Sequence, residues 1–274
     1  MLTALNIITP EKRSFFSNLL SVIRGNTIKV QHLYFDSVAL KSITYTQNKK
    51  KINWNAIDKF TKEQRTKLLC CENMILPKDK GYRRYESFEL NSRLCTNLAL
   101  YLLKNISHSE NLTVGLIDDN ALYDELGFRL VDFTDKVYVF TKKHDAYIPV
   151  TERLLDEKGA VITVTKNLGK LKFCDLVIAP ELIKMKLPLS ENALVLTSQK
   201  PVVETDALTL YNYYFDLPKK YLSVKPDYLD DMYFASALYS LLKIYKLGSF
   251  VPRLCSGNND IHTPSSLCNV LKKQ

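Results

Sequence analysis

Any chemistry in this chain would begin at a short acidic turn, Asp118-Asp119-Asn120, and at two adjacent lysines, Lys142 and Lys143. Paired carboxylates suit a hard divalent cation, which takes oxygen ligands. The same three side chains also accept from the free N–H groups at the start of a helix, and that cap is the first reading here. Lys142 and Lys143 carry the charge to hold a phosphate, but at a strand end a solvated basic rim is the first reading. His144-Asp145 follows them, the one histidine standing where a ligand would bind; His32, His108 and His262 lie in separate segments. No pair of histidines has the H-E-x-x-H spacing, and no Walker loop or G-x-S-x-G elbow occurs. Cys70, Cys71, Cys95, Cys174, Cys255 and Cys268 show no C-x-x-C spacing. The adjacent side chains of Cys70 and Cys71 diverge, so no zinc site is expected and the thiols read as reduced, packed groups.

These residues need a frame, and the middle of the chain supplies one. Apolar runs at 113–118, 136–141, 160–165, 175–179 and 192–197 have strand length. Helical periodicity fills 120–133 and 148–158, the latter opened near Pro149 and closed by Gly159. Short continuous apolar strands separated by crossovers predict a parallel sheet covered on both faces. The fold class expected is α/β: a doubly wound, mostly parallel, Rossmann-like sheet, with a flanking α+β N-terminal region and a C-terminal packing helix. In such a sheet ligands bind beyond the carboxyl ends of the strands, where Asp118–Asn120 and Lys142-Lys143 would stand.

Outside the middle, 26–35 and 42–46 read as strands, and 10–24 and 87–105 as helices. A long helix is predicted over 226–247, with Asp230-Asp231 at its positive end and Lys243, Lys246 and Gly248 at or beyond its negative end. It is apolar nearly all round, so it packs centrally or forms a homodimer interface. The tail from Cys255 reads as polar and loosely placed. The organisation expected is 1–110 as an α+β region onto which the helix 226–248 docks, 111–200 as the Rossmann-like domain, and 201–274 as connection, helix and tail.

Composition narrows the function classes. A chain of 274 residues that is 46% hydrophobic is long and apolar enough for a packed core rather than disorder. The formal charge of +9 invites a nucleic-acid partner, but the basic residues are scattered in short runs, so nucleic-acid binding is not expected. No apolar window approaches ~18 residues, which argues against a membrane span. The first residues lack a basic head and apolar stretch, which makes the cytoplasm the expected location.

The turn after the first middle strand is where a dinucleotide fold carries G-x-G-x-x-G. Here Asp118, Asn120 and Tyr123 stand at the three glycine positions. Carboxylates facing a diphosphate repel it, and a tyrosine crowds the helix against the sheet. The rest of residues 111–200 nevertheless resembles the NAD(P)-binding domain of the shikimate dehydrogenase and glutamyl-tRNA reductase type. The segment 137–143 (VYVFTKK) resembles that family's second strand, and 174–180 (CDLVIAP) its fourth. The resemblance implies NADP as cofactor, with Lys142 and Lys143 placed for its 2′-phosphate. The chain departs from the family at the glycine loop, and the family's catalytic Lys and Asp find no match in the first hundred residues.

Three functions are therefore carried forward. The favoured one is a non-catalytic Rossmann-like protein without standard dinucleotide binding, acting through a protein partner or a small ligand. The second is an NAD(P)-dependent oxidoreductase with an altered cofactor pose, its crevice rim formed by Asp118, Asp119, Asn120, Lys142 and Lys143. The third is a receiver-like signalling domain with a divalent cation at Asp118 and Asp119.

Overall fold

The computed structural model describes residues 1–10, 25–36, 38–258 and 260–272. The chain divides into two compact units, Met1–Ser87 with Asp216–Tyr245, and Phe88–Phe215 with Lys246–Gln274. In chain order the first unit opens with β1 (Leu2–Ile8), β2 (Thr27–Phe35), β3 (Val38–Thr46), α1 (Trp54–Thr61) and β4 (Leu68–Leu69). The second unit follows with α2 (Glu89–Asn105), β5 (Val114–Ile117), α3 (Asp124–Leu130), β6 (Val137–Phe140), α4 (Ile148–Lys158) and β7 (Thr163–Thr165). It continues through β8 (Leu176–Ala179), β9 (Leu194–Thr197), β10 (Leu208–Leu210) and β11 (Asn212–Tyr214). The chain then re-enters the first unit for α5 (Lys219–Leu222) and α6 (Asp231–Leu241), and ends in the second with β12 (Leu254–Ser256), β13 (Ile261–His262) and α7 (Pro264–Leu271).

The second unit is built on a six-stranded sheet in the order β10-β9-β8-β5-β6-β7, every pairing parallel. Read in chain order, this is the strand sequence of a doubly wound dinucleotide-binding sheet, with the order reversing between β5 and β8. All four residues of β8 and of β9 are buried, as central parallel strands require when both faces are covered. One face packs Phe140, Val177, Ala179 and Val195 against Leu171, Cys174 and Ile183. The sheet is therefore the α/β layer expected, and it gains an edge strand at β10 that the sequence reading did not include. The helix predicted over 120–133 is confined to α3, because residues 118–123 form an extended turn instead. Gly159 closes α4 in the left-handed conformation (φ 59), as its position implied.

Among the described residues, the tail after Cys255 forms regular elements rather than lying loose. Thr263 and Ser266 form a reciprocal capping box, Pro264 opens α7, and Leu267, Cys268 and Leu271 are buried. A three-stranded sheet, β11-β12-β13, precedes it, and α7 packs against α2. The reading as a polar tail failed because three apolar residues at helical spacing suffice for a two-turn helix once a cap fixes its start.

In the first unit β1 lies between β3 and β4, parallel to both, and β2 pairs antiparallel with β3 at the edge. Leu5, Ile43, Tyr45, Ile57, Leu68 and Tyr82 form one core cluster. Asn53 caps α1 by accepting from Ala56 N, and is itself held by its own N–H donating to the Tyr45 hydroxyl at 2.9 Å. Asp230 caps α6 in the same way, accepting from Tyr233 N. Phe234, Ala235, Ala237 and Leu238 of α6 are buried, so its large apolar face is covered. The helix expected to reach 247 ends at Leu241, since Lys243 turns left-handed (φ 58) and breaks the hydrogen-bond ladder. The helix predicted over 10–24 lies outside the described residues.

All six cysteines are free thiols, and five are buried. Burial pushes the Cys70 thiol up to about 11 and those of Cys95, Cys174 and Cys255 to about 12, from an ordinary 9.0. It likewise raises the phenols of Tyr82, Tyr228 and Tyr233 from 10.0 to about 12. A pKa higher in the folded chain than in the unfolded one means the fold favours the neutral group. That stabilisation is complete below about pH 9 and is lost as pH climbs through the folded values. The thermal midpoint is therefore expected to fall steeply between about pH 9 and pH 12; a midpoint flat to pH 11 would contradict this.

Candidate functional site

The turn at the carboxyl end of β5 is organised around one carboxylate. Asp118 is fully buried. Its Oδ1 accepts from Leu122 N at 2.9 Å, and its Oδ2 from Tyr123 N at 2.9 Å and from the Tyr147 hydroxyl at 2.6 Å. Ala121 adopts the left-handed conformation (φ 52) and donates its N–H back to the Asp118 carbonyl, wrapping the chain about the side chain. Tyr147 is buried in the single turn that leads into α4. Burial first, then the Asp118 carboxylate, pushes its phenol well above the usual range, so it stays a proton donor.

This arrangement has a direct chemical meaning. In a dinucleotide-binding sheet, backbone N–H groups at this corner point at a diphosphate. Here the two N–H groups of the turn and a phenol point at the protein's own carboxylate. The same donors turn positive ends toward Asp118, which is the wrong polarity around a cation ligand. Among the described residues, no cluster of three or more His, Cys, Asp or Glu is placed to hold a metal ion.

The remaining candidates form a rim around that centre. Lys142 Nζ meets Asp119 Oδ2 at 2.6 Å, and Lys143 Nζ donates to the Asn120 carbonyl at 3.2 Å. Asn120 Nδ2 donates to both carboxylate oxygens of Glu181, at 2.8 and 3.0 Å, just past β8. The fold therefore brings all five sequence-predicted residues together, and sets them against one another. The helix-cap reading needs correction: α3 starts at Asp124 with no side-chain cap at Tyr123. Asp118 serves the turn ahead of the helix, while Asp119 and Asn120 bond across the crevice. His144 begins the turn that carries Tyr147 and is exposed.

Three residues of this corner escaped sequence reasoning. Glu181 stands at a strand end, where the rule for ligand positions could have found it. Ser92, in the first turns of α2, donates to the Pro180 carbonyl at 2.7 Å. Tyr147 carried no signal, since its link to Asp118 spans 29 residues. Away from the corner, a cavity of about 370 Å³ runs beside β10, lined among others by Lys200, Thr205, Asp206, Thr209, Tyr211 and Asn258. Its volume is in the range that holds a small ligand.

No protein-family model matches the sequence, and no curated protein matches it. Among solved structures, L-tryptophan dehydrogenase from Nostoc punctiforme is similar over 99% of this chain and 86% of its own, with 9% identity and a TM-score of 0.34. D-lactate dehydrogenase with NAD+ from Lactobacillus jensenii is similar over 76% and 77%, with 13% identity and a TM-score of 0.32. Phosphoglycerate oxidoreductase from Vibrio cholerae O395 follows over 73% and 76%, with 9% identity and a TM-score of 0.28. Likenesses this distant do not bear on activity. No helix of the described residues is long and apolar enough to cross a membrane.

Proposed function

We propose that this chain is a Rossmann-like binding protein whose diphosphate corner is closed by its own Asp118, and that it acts through a protein partner or a small ligand other than a dinucleotide. One observation carries the reading. The carboxylate of Asp118 accepts from Leu122 N and Tyr123 N, the donors a bound diphosphate would need. A dinucleotide entering in the ordinary pose must break those bonds and face the displaced charge as well.

The alternative, an NAD(P) enzyme with the cofactor in another pose, draws support from one feature. Lys142 is 69% exposed and Asp119 42% exposed, and an exposed pair of this kind holds by only about 0–1 kcal/mol. The lysine is thus free to turn to a phosphate outside the closed corner.

Thermal unfolding in the presence of NAD+, NADP+, ATP and magnesium separates the readings. A ligand at a hundred times its Kd stabilises the folded state by about 2.7 kcal/mol, which raises the midpoint of a chain this size by several degrees. The proposal expects no such rise with any of the four. A rise with NADP+ that disappears in Lys142→Ala replaces it with the altered-pose enzyme. A rise with magnesium that disappears in Asp119→Asn replaces it with the cation-binding domain.

A further inference from the structure

A different surface, in the first unit, carries an inference independent of the closed corner. β2 is the edge strand of its sheet, and among the described residues nothing pairs with its outer side. Its nine residues run against β3 from Thr27↔Thr46 to Phe35↔Val38 with no bulge. Open edges present a row of unpaired N–H and C=O groups, which proteins protect with proline, bulges, short strands or charge. β2 is long, contains no proline, and has Lys29 as its only charged residue.

The two faces of β2 are covered at opposite ends. Ile28 and Val30 pack on the cluster of Leu5, Ile43 and Tyr45. Phe35, on the other face, meets the ring of Tyr221 edge-on at 6.3 Å. His32 and Tyr34 continue the row of Ile28 and Val30 by the two-residue repeat. They stack on each other at 6.5 Å, and Tyr34 is left 72% exposed.

We propose that β2 pairs antiparallel with β2 of a second copy of this chain, about a two-fold axis at Gln31, joining two four-stranded sheets. Strand alternation then sets Ile28 and Val30 directly opposite Tyr34 and His32 of the second copy, on one face. The exposed aromatic half of each strand extends the covered apolar half of the other. On the opposite face Lys29 lies against Leu33 of the second copy, and the two Lys29 residues stay four positions apart, about 13 Å. No like charges face each other. A slip by one residue turns the aromatic pair to the wrong face; a slip by two sets either Tyr34 against Asn26, outside the strand, or His32 against His32, and shortens the ladder in both directions. The strand is thus complementary to itself in one register, the property a two-fold interface requires.

Disulfide trapping reads that register directly. At the axis, the two Gln31 residues are opposite each other with Cα atoms about 4.5–5.5 Å apart, within the span a disulfide bridges. Gln31→Cys in the full chain is expected to form a covalent dimer under mild oxidation, while Lys29→Cys, treated identically, is expected to remain at the background of the parent protein. Sedimentation equilibrium of the parent is expected to show a monomer–dimer equilibrium. Tyr34→Lys should move its midpoint to about tenfold higher concentration; because Tyr34 is mostly exposed, the circular dichroism of that variant should match the parent. A parent that stays monomeric, a dimer indifferent to Tyr34→Lys, or cysteines at 29 and 31 that cross-link alike would each overturn the proposal. Pairing of β2 with an extended segment of another protein would appear as failure of the Gln31→Cys cross-link in the purified chain, and counts against it equally.

Discussion

Asp118→Ala is expected to destabilise the chain by about 3–5 kcal/mol, the largest effect of any single substitution in the crevice. The carboxylate is fully buried and receives three donors, Leu122 N, Tyr123 N and the Tyr147 hydroxyl. Alanine removes the acceptor from all three, leaving the phenol unpaired in the buried interior and the two N–H groups in a part-buried turn. Hydrogen bonds to a charged acceptor contribute about 1.5–3 kcal/mol each, and they do not add fully because one side chain serves all three. Asp118→Asn should cost less, since its amide oxygen still accepts while its NH₂ group faces a donor. Tyr147→Phe removes one bond and should cost about 1.5–3 kcal/mol. In the double variant the two losses should fall short of their sum, because both remove the same hydrogen bond. Urea unfolding followed by circular dichroism measures each value. A loss below about 1 kcal/mol for Asp118→Ala would mean that the turn does not depend on its internal carboxylate.

Gly257→Ala is expected to be nearly as damaging, at about 2–4 kcal/mol or more, for a reason of space rather than charge. A Cβ at this position would stand 2.2 Å from the carbonyl oxygen of Thr209. That oxygen belongs to the backbone of β10, so no side-chain rotation relieves the clash. The glycine lets the β12–β13 connection run directly against the edge strand, with Tyr211 N donating to the Ser256 carbonyl and the Tyr211 hydroxyl to Asn258 Oδ1. Alanine must push the two strands apart and open the cavity that Thr209, Tyr211, Gly257 and Asn258 help to line. Gly159→Ala is a useful contrast. That glycine has no neighbour within 4 Å of a built Cβ, and only its left-handed φ of 59 opposes the change, at roughly 1–2 kcal/mol. Equal, small losses at the two positions would remove the argument from close approach.

The central sheet was legible because its strands obey a simple rule. Val114–Ile117, Leu176–Ala179 and Leu194–Thr197 are short apolar runs, and only a strand buried on both faces has reason to be so uniformly apolar. β10 is not legible because Leu208–Leu210 is three residues long, too short to show a strand's pattern. β1 is hidden for another reason: Leu2–Ile8 is buried on both faces at its start, so it shows no strand alternation. The C-terminal helix was drawn too long because apolar residues continue past Leu241, and periodicity carries no record of a left-handed residue at Lys243.

The candidate site divides along similar lines. Which residues gather at the corner followed from strand ends alone, since Asp118–Asn120 and Lys142-Lys143 terminate neighbouring strands, β5 and β6. What they do there did not follow. The bond from Tyr147 to Asp118 and that from Asn120 to Glu181 join residues 29 and 61 apart, and depend on how α4 and β8 are placed in space. Sequence also placed charge repulsion at the centre of the case against a diphosphate. The geometry adds occupancy: the donors that would attract a phosphate are already in use.

The most direct test is a crystal of the full chain grown with millimolar NADP+. The closed-corner reading expects Leu122 N and Tyr123 N still bonded to Asp118, with no diphosphate against the turn. A diphosphate accepting from those two N–H groups, with the Asp118 side chain swung aside, would contradict it.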